Sequence, residues 1–76
     1  MSTGHQGKYA VSDLEYSVVV TLSNLLQGCE ALPKYQADAE KAGDSETAEI
    51  FRKAHESYDG LAAEFNAALR RIATNG

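Results

Sequence analysis

Glu30, His55, Glu56 and Asp59 are the residues whose types and spacing could do chemistry in this chain of 76 residues. Carboxylates and imidazoles are ligands for divalent metal ions. His55 and Asp59 are four apart, so on a helix they share a flank. Counted outward from Gly43-Asp44, Glu30 falls at the height of residues 55–59 on the opposite arm of a hairpin. The four are therefore a candidate set for iron or another divalent metal, at an interface between copies of the chain. The plainer expectation is that His55 and Asp59 form a surface pair worth roughly 0.3 kcal/mol. Glu56 falls nearly opposite the apolar stripe and is expected to face solvent. On that plainer expectation the chain holds no metal and no cofactor, and no residue is assigned a catalytic role.

Other reactive types carry less. Cys29 is the sole cysteine, which excludes an internal disulfide and a disulfide-stapled secreted domain. It lies at the edge of the apolar stripe and reads as a small buried hydrophobe, because no adjacent cation or second cysteine would activate its thiol. Ser, His and Asp are all present, but nothing resembles a nucleophile elbow or an oxyanion loop. The glycines are dispersed, so no phosphate-binding loop is formed. His5 reads as a solvated residue of a polar N-terminal segment. Lys8 and Arg70-Arg71 are too few for nucleic acid, which a net charge of −4 also disfavours. No segment is apolar enough to span a membrane, and Met1 to Ala10 lacks the apolar core of a signal peptide, so a cytoplasmic location is expected.

The elements that must position these residues are helices. Twelve alanines, a single proline and few β-branched residues outside 11–21 favour helix. Residues 1–11 are polar and read as a mobile arm, leaving 12–76 as one domain. Ser12-Asp13-Leu14-Glu15 has the form of a capping box. From Leu14 an apolar stripe continues through Val18, Leu22, Leu25, Gly28/Cys29, Leu32 and Tyr35 in steps of three and four. Pro33 interrupts it, since it cannot donate a backbone hydrogen bond and costs about 3 kcal/mol inside a helix. The stripe stays in phase beyond it, which favours one long helix kinked near 29–33 over a break at Leu32 with Pro33 opening a second helix. Lys41-Ala42-Gly43-Asp44-Ser45-Glu46 ends that helix and starts another, with Gly43 at the C-cap and Asp44 or Ser45 at the N-cap. A connection so short forces antiparallel neighbours. The second helix is predicted over about Ser45 to Ala73, with Phe51, Tyr58, Leu61, Phe65 and Ile72 on its stripe.

The fold class is therefore all-α, an antiparallel helical hairpin. Val19, Val20, Leu26, Ile50, Ala62 and Leu69 widen the stripes beyond what one pair of helices buries. Small domains often complete a core by oligomerising. The expected partner is a second copy, giving a homodimer or higher oligomer built as a four-helix bundle. Docking of another protein's helix is the alternative. The charged sets Lys34, Asp38, Lys41 and Glu49, Arg52, Lys53, Glu56 read as solvated exteriors.

The stretch LSNLLQGCEALPKYQADAEKAGDSETAEIFRKAHESYDGLAAEF, residues 22–65, resembles the ferritin-like superfamily. The resemblance lies in a Leu-rich first helix, the Tyr35, Ala37, Ala39 segment, the AGDSE turn and a Phe-bearing second helix. It is nearest to the short one-hairpin type, encapsulin-associated ferritins and a bacterial rubrerythrin-like family. It implies a four-helix bundle holding two irons on inward Glu residues and a Glu-x-x-His pair, and oxidation of ferrous iron. Aligned on Tyr35 and Asp44-Ser45-Glu46, the family's ligand positions fall on Gly28, Tyr58 and Leu61, and none of these is a ligand of that kind. The resemblance thus implies a relative without the di-iron site. Gly28 leaves a gap at this height, which Tyr58 opposite is large enough to fill.

Overall fold

The computed structural model describes residues 12–75, which form two helices, α1 (Asp13–Lys41) and α2 (Ser45–Asn75). Each boundary has a local cause. Ser12 accepts a hydrogen bond on its hydroxyl from the Glu15 N–H at 3.1 Å, which satisfies one orphan donor of the first turn of α1. At the other end the Asp44 N–H donates to the Ala39 carbonyl and the Gly43 N–H to the Glu40 carbonyl, both at 3.0 Å. This is a Schellman turn, and it needs Gly43 in the left-handed region, at φ 78°. Asp44 rather than Ser45 caps α2. Its carboxylate accepts from the Thr47 N–H at 3.0 Å and from the Thr47 hydroxyl at 2.6 Å. Those bonds favour the charged form, the hydroxyl's most, and hold the Asp44 carboxyl below its ordinary range.

Pro33 lies inside α1 and does not break it. The helix is continuous from Asp13 to Lys41, so the alternative of a separate helix beginning at Pro33 is set aside. Packing along the rest of α1 outweighs the missing bond. Helix α2 also runs beyond the predicted Ala73, to Asn75. The proposed mobile arm, residues 1–11, lies outside the described residues, as do His5 and Lys8.

The hairpin measures 55 × 21 × 13 Å. Its thinnest dimension is about that of a single helix with its side chains. Among the described residues only the seam between α1 and α2 is therefore closed to solvent, and its buried residues are Val18, Leu32, Ala39, Ala48 and Ala62. Three of the five are alanines, which let the helix backbones approach closely. Leu22, Leu25, Gly28, Cys29, Phe51, Phe65 and Ile72 flank the seam and are half-buried. Leu14, Tyr35, Tyr58 and Leu61, which the sequence assigns to the interface or core of an assembly, are exposed in the single chain. Two helices have too narrow a seam to cover both flanks of each stripe.

Two consequences are measurable. Pro33 is exposed, so Pro33→Ala restores a helical hydrogen bond without disturbing the seam and should stabilise the hairpin by up to about 3 kcal/mol in denaturant unfolding. The second concerns acid. A carboxylate whose folded pKa is depressed adds stability that is present above its unfolded value, about 3.9, and is lost as pH falls through the folded one. Thermal unfolding followed by circular dichroism should show helix loss steepening below about pH 4. Asp44→Asn keeps the cap without the titration and should flatten that slope; identical slopes for the two proteins would contradict the capping role.

Candidate functional site

The short turn sets the register of the hairpin, and the register brings two different pairs of flanks together. Gly28 and Tyr58 stand equally far from Gly43 along the chain, as do Tyr35 and Phe51. Each pair meets. The Tyr35 and Phe51 rings lie with centroids 5.8 Å apart and planes at 52°, a tilted aromatic contact. The Tyr58 ring sits so close over Gly28 that a Cβ there would overlap its Cδ2 and Cε2 carbons. Glycine at 28 is thus a matter of space rather than backbone conformation. Two shallow clefts are lined on this side, one of about 310 Å³ including Tyr35, Ala39 and Phe51, the other of about 250 Å³ including Leu61, Phe65 and Ala68.

One residue further along each helix turns the chain through about 100°, from one side of the seam to the other. Cys29 and Asp59 therefore meet on the face opposite Gly28 and Tyr58. The Cys29 thiol donates to Asp59 Oδ1 at 3.5 Å. His55, one turn before Asp59, brings its imidazole to the same place, and one ligand atom from each of Cys29, His55 and Asp59 lies within 4.8 Å of the other two. Cys29 and His55 are half-buried at the seam and Asp59 is exposed. Desolvation, and then the neighbouring Asp59 carboxylate, raises the Cys29 pKa above that of an ordinary thiol. Left alone, the sulfur keeps its proton and is a poor nucleophile.

The metal-ligating set read from the sequence is rearranged. His55 and Asp59 come together as their spacing predicts. Glu30 and Glu56 are not part of the cluster, and Cys29 takes the place given to Glu30. Glu56 is held by Arg52 Nη1 at 2.7 Å, while Arg52 also grips Glu49 through Nη2 at 2.6 Å. The hydrogen bond from Arg52 lowers the Glu49 pKa, and the two carboxylates, Glu49 first, push the Arg52 pKa still higher. From the sequence alone Cys29 reads as a small hydrophobe because it sits on the stripe's edge. The signal missed was its register, since Cys29 faces Asp59 whenever Gly28 faces Tyr58.

The positions that the ferritin-like alignment assigns to iron ligands are thus a glycine under a tyrosine ring, with Leu61 one turn beyond. Comparison of the chain with protein-family models, curated proteins and solved structures gives no match. No described helix is long and apolar enough to cross a membrane.

The Gly28–Tyr58 contact predicts a coupling. Replacing a helical glycine with alanine stabilises by about 1 kcal/mol where space allows. Gly28→Ala should show that gain only in a Tyr58→Ala background, because in the wild-type protein the ring must swing aside. A double-mutant cycle by denaturant unfolding should return a coupling of about 1 kcal/mol.

Proposed function

We propose that this chain is a non-catalytic structural module that self-associates, two hairpins packing their Gly28–Tyr58 faces together as a four-helix bundle of the ferritin-like kind. The observation that carries this reading is the apolar row left uncovered on that face. Tyr35 is 47%, Tyr58 37% and Leu61 44% exposed. Large apolar residues aligned along one face of a protein mark an interaction surface.

A second copy suits this surface for three reasons. By heptad spacing the flanks beyond Gly28 and Tyr58 carry Asn24, Ala31 and Asp38 on α1 and Thr47, Ala54, Leu61 and Ala68 on α2, so the middle of the face is uncharged and Asp38, near the turn and paired with Lys34, is the one charge in the series. The face mixes small and large residues along its length, Ala31 and Ala54 beside Tyr35, Tyr58 and Phe65, and such a surface interdigitates with itself about a two-fold axis. A hairpin one helix thick also needs a further layer to close an interior, and a copy of itself supplies one. On this reading the sites where ferritin-like proteins hold iron serve packing, and the module's role is assembly rather than oxidation. Metal binding is a separate reading, and its residues lie on the other face.

Sedimentation at micromolar concentration should give twice the 8.2 kDa chain mass or a higher multiple. Leu61→Asp removes two buried leucines from a two-fold interface and should weaken association about 100-fold or more. A wild-type hairpin that is folded and monomeric at that concentration would overturn the proposal. If it instead bound an amphipathic helix of another protein, the adaptor reading would replace it.

A further inference from the structure

The face opposite Gly28 and Tyr58 holds three side chains whose chemistry the assembly reading does not use. We infer that Cys29, His55 and Asp59 of one chain form a binding site for a zinc-class divalent ion, with a fourth coordination position open to solvent.

Geometry is the first ground. A tetrahedral zinc ion bonded at about 2.0–2.3 Å to sulfur, nitrogen and oxygen requires its donor atoms to lie roughly 3.3–3.7 Å apart. Cys29 Sγ and Asp59 Oδ1 are already 3.5 Å apart. The imidazole of His55 is inside the 4.8 Å that encloses all three donor atoms, so side-chain rotation of about 1 Å completes the set. The ligands come from both helices, one from α1 and two from α2 at a spacing of four, where consecutive turns present them to the same point. Asp59 is the exposed member, so the remaining position points to water.

Charge is the second ground. A carboxylate beside a sulfur opposes a second negative charge, and the thiol proton now sits between them as a hydrogen bond to Asp59. That proton occupies the place a cation would take. When the ion binds, the S–H bond breaks, the sulfur's electron pair forms the bond to the metal, and the proton leaves to solvent. One thiolate, one carboxylate and a neutral imidazole then balance a charge of +2. Thiolate with imidazole selects the borderline ions zinc and cobalt(II) over magnesium or calcium, which prefer all-oxygen sites. The site is intramolecular and lies across the seam from the proposed self-association face. It therefore binds one ion per chain whatever the oligomeric state, and the ion ties α1 to α2.

Titration of the reduced full chain with cobalt(II) tests this, with zinc(II) in competition. We expect one cobalt per chain, the strong visible bands of a tetrahedral centre, and a near-ultraviolet sulfur-to-cobalt charge-transfer band, all displaced by zinc. Zinc should raise the thermal midpoint. Cys29→Ser should abolish the charge-transfer band, and Asp59→Asn, at an exposed position, should weaken binding at least tenfold; circular dichroism of each confirms the helices. Sedimentation of the same samples decides the assembly question separately. Half an ion per chain would overturn the intramolecular site. Weak octahedral spectra, unchanged binding in both variants, or preference for ferrous iron over zinc would overturn the assignment as well.

Discussion

Two helices lying side by side share a single seam, and every other feature of this molecule follows from how little that seam can hold. Its closed positions are Val18, Leu32, Ala39, Ala48 and Ala62. Alanine buries little apolar area, but it lets the helix axes draw together along a pair of 29- and 31-residue helices. The larger apolar residues then have nowhere to go inside one chain. They crowd the flanks, half-covered where they touch the facing helix and uncovered beyond it. A thickness of 13 Å leaves no second layer to receive them.

The tight Gly43 turn converts this narrow seam into two faces of different chemistry. Because the register is centred on that turn, neighbouring residues on each helix are dealt alternately to either side. Gly28 and Tyr58 go one way, with Tyr35 and Phe51 in phase with them. Cys29 and Asp59 go the other, joined by His55. One face is aromatic and free of ligand atoms near its middle; the other gathers a thiol, an imidazole and a carboxylate. A shift of register by one residue on either helix would scramble both sets. The Schellman bonds at Gly43 and the Asp44 cap thus matter well beyond the turn itself.

Surface ion pairs add detail without deciding the architecture. Lys34 with Asp38, and Arg52 with Glu49 and Glu56, all join residues three or four apart on one exposed helix face. Such pairs support the helix that carries them and are screened by solvent. The Arg52 group has one further effect, since it occupies Glu56 and leaves His55 and Asp59 to face Cys29.

The amino-acid sequence by itself determined what local physics governs. Capping residues at Ser12 and Asp44, the left-handed glycine at 43 and the three-four spacing of apolar residues specify two helices, their direction and their register, because each acts within a turn or two of the chain. Even the meeting of residues 28 and 58 was legible by counting outward from the turn. The sequence could not show which residues of a broad apolar stripe the seam would close over, so it did not separate the closed Val18 and Leu32 from Leu14, Tyr35, Tyr58 and Leu61, which the single chain leaves exposed. The register that pairs 28 with 58 also sends Cys29 to Asp59, but nothing in the sequence shows that Glu30 stands apart from His55 and Asp59. Those outcomes depend on the rotation of each helix about its own axis. A few tens of degrees move a side chain from seam to flank, and that angle is set only when two whole surfaces pack.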